Sequence, residues 1–177
     1  MTLRTRARRP APDAEPIADP DACREEALKL LERTRRPRAD LATRLADRGY
    51  GATTIEEVLD RLVAVGLVDD TEFARAFLAG RWGRRPSGWR RLQQELRAKG
   101  IGDADVTAAR ALIEQREGAV DELSAARKLL AQAGHRYAKL DPRARNQRLY
   151  ALLARRGFDG EVIRRALSLR DDEAGEE

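Results

Sequence analysis

Three copies of one pattern, Leu-x3-Leu-x3-Gly followed by an apolar residue, constrain this chain more than any other feature. They fall at Leu41/Leu45/Gly49/Tyr50, Leu92/Leu96/Gly100/Ile101 and Leu149/Leu153/Gly157/Phe158. Leucines four apart share one helical face, a glycine after them can take the left-handed conformation that stops a helix, and the next apolar residue folds back onto the face just made. A base stands directly before each glycine (Arg48, Lys99, Arg156), and a second apolar helical pattern opens about five residues later, at Ile55, Val106 and Val162. Each copy reads as helix, tight stop, helix, and a period near 50 residues marks an internal repeat.

Capping chemistry adds a further helix to each copy. Asp19-Pro20 and Asp141-Pro142 pair a capping acid with proline at the first helical position, and Pro37 starts a helix that Gly49 ends. Thr53-x-x-Glu56 predicts a capping box, as does Asp69 with Glu72, where Val68 and Phe73 are spaced as a hydrophobic staple. Ser87 is a candidate cap for the helix of Trp89, Leu92 and Leu96; Asp103 caps the next, and Asp159 opens the last, with Phe158 and Ile163 as a second staple. Nine helices result, with no strand signal. The expected fold is all-α, an elongated array of three tandem three-helix, helix-turn-helix-like repeats. Its boundaries are a disordered, basic, proline-rich arm over 1–19, repeats over 20–67, 68–117 and 118–170, and an acidic tail over 171–177.

Composition excludes several classes. No apolar run is long enough to cross a bilayer, and the first twenty residues carry four arginines and four prolines without an apolar core, against a secretory signal. A cytoplasmic address and no membrane partner are expected. One cysteine, Cys23, and one histidine, His135, leave no zinc cluster and no nucleophile with a histidine base beside it. Neither a phosphate-binding glycine loop nor a dinucleotide fingerprint occurs. The expected protein is not an enzyme and takes no cofactor. Asp69 and Asp70 resemble a paired carboxylate site, but a helix cap accounts for Asp69 and catalysis by the pair is not expected; Trp89 is read as a core residue.

Net charge is +5, and its distribution says more than its sum. Eight bases lie between Arg75 and Lys99 against Glu95 alone, and seven between Arg143 and Arg165 against Asp159 and Glu161, whereas Thr53 to Glu72 holds six carboxylates against Arg61. Sorting of this kind points to a polyanionic or strongly patterned partner. Arg outnumbers Lys 31 to 4, a bias that GC-rich coding would also produce. Arg90 and Arg97 stand two turns apart on one face, opposite Leu92 and Leu96. With Arg81, Arg84, Arg85 and Lys99 they form the candidate partner-binding surface, suited to paired hydrogen bonds with carboxylates or phosphates. A solvated face is the competing reading. Arg91 four before Glu95 is an intrahelical pair.

The stretch Asp69-Asp70-x-x-Phe73-Ala74, then Arg81, then Gly88-x-x-Arg91-Leu92-x-x-Glu95-Leu96-x-x-Lys99-Gly100-Ile101 resembles the signature of the RecX family, regulators of bacterial RecA recombinase. Arg155-Arg156-Gly157-Phe158 with Ile163 and Ala166-Leu167 is similar to that family's C-terminal end. The resemblance implies three tandem three-helix units and a monomer that lies in the groove of the RecA filament on single-stranded DNA, across neighbouring protomers. It implies restraint of ATP turnover, strand exchange or filament growth. Weak, sequence-independent contact with DNA fits that reading; the alternative is a helical module that binds DNA directly through its basic helices.

Overall fold

The computed structural model describes residues 15–82, 86–117 and 121–175, with side chains described as far as Leu169 except those of Trp82 and Glu117. Nine helices run through the described residues: α1 (Pro20–Arg33), α2 (Arg38–Ala46), α3 (Ala52–Ala64), α4 (Asp70–Trp82), α5 (Trp89–Arg97), α6 (Asp103–Glu117), α7 (Glu122–Tyr137), α8 (Pro142–Arg155) and α9 (Gly160–Gly175). They sort into three trios, each around its own apolar cluster. Cys23, Ala27, Leu41, Leu45, Val58 and Leu59 centre the first; Ala74, Leu78, Leu92, Leu96 and Val106 the second; Ala126, Leu130, Leu149, Leu153 and Ile163 the third. In every trio the outer helices pack together, α1 on α3, α4 on α6 and α7 on α9. Separate cores joined in series are the architecture of a repeat array.

The leucine pairs of the pattern are the deepest parts of these cores: Leu41, Leu45, Leu92, Leu96, Leu149 and Leu153 are at most 1% exposed. The glycines behind them all adopt positive φ, +94° at Gly49 and +81° at Gly100 and Gly157. The amide of the following apolar residue then donates to the carbonyl of the second leucine, Tyr50 to Leu45, Ile101 to Leu96 and Phe158 to Leu153. That bond satisfies a carbonyl the helix end would leave bare and carries Ile101 and Phe158 into the core.

Caps divide into those the local sequence supplies and those it does not. Asp19, Asp121 and Asp141 accept from the amides of Ala22, Ser124 and Ala144 at 2.9–3.0 Å, and Asp69 from Glu72 at 2.8 Å. Asp159 accepts from Glu161 at 2.9 Å. Three expected devices do not form. α3 begins one residue before Thr53, at Ala52 after Gly51, so Glu56 turns outward to pair with Arg38. Ser87 does not cap α5, whose cap residue is Gly88. Asp103 sits inside α6 and pairs with Arg97. Val68 is buried in the first cluster and Phe73 lies against the second.

At α2 and α5 the cover for the helix start comes from the neighbouring unit. The Arg38 amide at the start of α2 donates to Asp70 at 2.9 Å, and the Trp89 amide at the start of α5 donates to Glu122 at 2.5 Å. Asp70 and Glu122 are each the first residue of the following unit's first helix. α8 is capped by its own Asp141. At the other end of the array, Ile17 bridges Tyr50: its amide donates to Gly49 at 2.8 Å and its carbonyl accepts from Gly51 at 3.0 Å. Residues 15–19, expected to belong to a disordered arm, thus cover the glycine turn that in later units meets the preceding unit. The remainder of the arm and Glu176–Glu177 lie outside the described residues.

Candidate partner-binding surface

The second helix of each unit carries the positive charge. α2 has Arg38 and Arg44 against Asp40, α5 has three arginines against Glu95, and α8 has four arginines and no acid. The third helices run the other way: α3 has Glu56, Glu57 and Asp60 against Arg61, and α6 has four acids against Arg110 and Arg116. What looked like blocks of charge along the chain is a repeat-phased pattern in space.

The sequence-predicted bases are exposed and mostly engaged. Arg90 pairs with Asp159 of the third unit at 2.7 Å, its side chain 68% exposed. Arg97 makes two hydrogen bonds to Asp103, at 2.7 and 2.9 Å, and each partner is more than half exposed. Those bonds hold the Asp103 carboxyl below its usual range and raise Arg97. Arg81 reaches Glu95 at 3.4 Å, and Arg91 holds the other oxygen of Glu95 at 3.0 Å, the intrahelical pair expected from its spacing. Arg81 and Lys99 both lie over the Phe77 ring, 5.1 and 5.9 Å from its centre. Arg84 and Arg85 lie outside the described residues.

Arg81, Arg91 and Lys99 are therefore gathered around Glu95 and Phe77, while Arg90 reaches the third unit and Arg97 pairs within the second. Solvent-exposed pairs of this kind contribute between nothing and about 1 kcal/mol, so a stronger anion can displace the acid at little cost. Trp89 is half-buried on the second cluster with the Arg110 guanidinium 4.6 Å from its ring centre, and the Asp69 carboxylate is occupied in its cap. Among the described residues no group of three or more metal-ligating side chains converges, and no helix is long and apolar enough to cross a membrane.

Sequence reasoning missed two things. The first is the capping in trans by Asp70 and Glu122, although a signal was present: the first unit opens Asp-Pro, whereas the second and third open Asp-Asp and Asp-Glu, with the second acid facing the preceding unit. The second is the third unit, whose bases were counted but not assigned to a surface. Arg143, Arg148, Arg155, Arg164 and Arg165 are exposed there and have no acid partner among the described residues.

Fold and surface together define an all-α helical-repeat protein with an arginine-rich, ion-paired flank. Three family models match in order along the chain: RecX, first three-helix domain at residues 23–62, second three-helix domain at 69–109 and third three-helix domain at 120–167. Relatives called "Regulatory protein RecX" agree in extent. That of Mycobacterium sp. (strain KMS) is 38% identical over 154 residues, 84% of this chain and 81% of the relative. That of Mycobacterium tuberculosis (strain ATCC 25618 / H37Rv) is 38% identical over 143 residues, 78% and 79% of the two chains. The chain belongs to the RecX family. The crystal structure of RecX from Lactobacillus salivarius superposes with a TM-score of 0.76 over 86% of this chain and 96% of that one, at 19% identity. A second RecX crystal structure gives 0.73 at 23% identity. Both likenesses concern the fold.

Proposed function

We propose that this protein is a non-enzymatic regulator that binds the groove of the RecA nucleoprotein filament on single-stranded DNA across neighbouring protomers and restrains ATP turnover, strand exchange and filament growth. Membership of the RecX regulatory family carries this reading. A row of units, each with its own core, offers a long contact surface, so modest contacts to successive protomers add as an intramolecular gain in effective concentration. A binder that spans protomers distinguishes filament from free subunit by geometry. The contact surface is Arg81, Arg84, Arg85, Arg90, Arg97 and Lys99; the exposed acid partners of Arg90 and Arg97 are exchangeable for acids or phosphates of the filament. The protein acts as a cytoplasmic monomer without a cofactor.

The alternative, a helix-turn-helix module on duplex DNA, places the last helix of a trio in the major groove. In α3 and α6 that helix is acidic, which phosphates repel. Co-sedimentation with RecA alone, with single-stranded DNA alone and with the ATP-bound filament tests the proposal. The expected result is preference for the filament, inhibited ATP turnover, and about tenfold weaker filament binding by Arg90→Glu with Arg97→Glu at unchanged helicity. Equal binding to free RecA and filament, or an unaffected variant, rejects it.

A further inference from the structure

Each joint between units opens a cleft, and the two clefts are repeat-equivalent. The first, about 740 Å³, lies between α2 and the C-terminal turn of α5, lined by Arg35, Thr43, Arg44, Phe73, Arg97 and Lys99 among others. The second, about 560 Å³, lies between α5 and the C-terminal turn of α8, lined by Arg90, Arg91, Gln94, Tyr150 and Arg155. Thr43 and Gln94 stand two residues after the first leucine of their copies, and Ala98 and Arg155 two before their glycines. Even the acids correspond in state. Asp40 in the first cleft is held by Arg36 and Arg44, and Glu95 in the second by Arg81 and Arg91.

We infer that these clefts are two successive subsites for the sugar–phosphate backbone of a single-stranded nucleic acid, with Tyr150 as a stacking face for a base in the second. Four observations carry this. Both clefts are walled by the basic second helices, and the acidic helices α3 and α6 contribute no lining residue; α9 adds only Gly160 and Ile163, neither of them charged. The acid in each is already neutralised by two guanidinium groups, which leaves Lys99 in the first and Arg155 in the second with no acid partner among the described residues. Tyr150 is 42% exposed and lines the second cleft, its hydroxyl beside Gly160. A site that recurs along an array fits a ligand that recurs along its length, and basic grooves with an accessible ring are how sequence-blind single-strand binders hold their ligand. A stiff duplex would have to meet the acidic helices as well; a flexible strand can pass from cleft to cleft.

This inference does not rest on the filament reading, and naked oligonucleotide tests it. Fluorescence anisotropy of the full chain with labelled oligothymidylate, titrated over salt, is expected to show that Tyr150→Ala weakens binding by about tenfold with the salt slope unchanged, while Tyr150→Phe retains it. Arg155→Ala and Lys99→Ala are expected each to lower the slope of log affinity against log salt by about 0.7, additively in the double variant. Circular dichroism confirms that the variants keep their helices. Wild-type affinity in these variants overturns the proposal, as does failure of Tyr150→Phe to rescue. Tighter binding to duplex, or displacement of the oligonucleotide by polyglutamate as effective as by unlabelled oligothymidylate, also overturns it. The same variants in filament co-sedimentation separate the two readings: loss on naked strand with retained filament binding supports the clefts alone.

Discussion

The joint between the first and second units and the joint between the second and third meet one demand, covering the bare start of a second helix, with different residues. At the first, the Arg38 amide meets Asp70, whose carboxyl burial pushes above its ordinary range; Asp105 and Asp69 add to that shift and the Arg38 amide opposes it. Pro37 precedes it and has no amide to give. At the second joint the Trp89 amide meets Glu122, the Gly88 amide donates to the Arg156 carbonyl at 2.9 Å, and Arg90 adds an ion pair to Asp159. Gly88 also lies directly against the backbone of Gly157. The first joint therefore leans on side chains, among them Arg35 with Glu72 at 3.0 Å, and the second on backbone. A backbone joint is stiff and intolerant of added atoms, whereas a side-chain joint can give.

The sharpest way to break that contrast is a methyl group. At Gly88 an added Cβ collides with the Gly157 carbonyl and the Phe158 amide, neither of which can rotate away. Gly88→Ala is expected to destabilise by about 3 kcal/mol, at the upper end of overpacking penalties, and to uncouple the third unit first. At the first joint the cap position equivalent to Gly88 is Pro37, and the glycine at the seam is Gly100; Gly100→Ala meets the Ala39 methyl besides its own positive φ. It is expected to cost about 2 kcal/mol. Denaturant melts with hydrogen exchange resolved along the chain measure both; equal costs would show that the joints are built alike.

Smaller substitutions separate the caps. Glu122→Ala is expected to cost about 1.5 kcal/mol by leaving the Trp89 amide without its acceptor, and Asp70→Ala about 0.5 kcal/mol because removing a carboxylate that burial penalises offsets part of the lost bond. Thermal melts of the two variants give the order, and a larger loss at Asp70 would reverse the account of the first joint.

The same distinction explains what could be read from the sequence. Patterns confined to one helix and its turn were legible: the leucine pairs, the three glycine stops, the aspartate caps at 19, 69 and 141, and the Arg91–Glu95 pair all depend on neighbours a few residues away. The expected caps at Thr53, Ser87 and Asp103 failed because other groups competed for the same positions. Gly51 begins α3 earlier, the Arg156 carbonyl and Glu122 carboxylate claim the start of α5, and Arg97 claims Asp103. The candidate surface was legible as charge but not as partnership. No spacing rule links Arg90 to Asp159, 69 residues away, or aligns the two clefts, because these depend on how one unit sits on the next.

The mildest test concerns the acid that ties the first joint's flank. Glu72 receives two hydrogen bonds from Arg75 and one from Arg35, and these, Arg75 foremost, lower its pKa to about 2. A carboxyl depressed in the folded state binds fewer protons there than in the unfolded chain, so its contribution is complete above the unfolded value near 4.3 and is lost as pH falls toward 2. Because Glu72 and Arg35 are 34% and 70% exposed, solvent screening leaves only a fraction of a kcal/mol in that pair. The stability gap between the wild-type protein and Glu72→Gln is therefore expected to be small and flat from about pH 5 to 8, to close between pH 4.3 and 2, and to shrink in high salt. Melts across that range measure it. A gap that persisted at pH 2 would mean that the first joint is held at this point by packing of the Glu72 stem rather than by its charge.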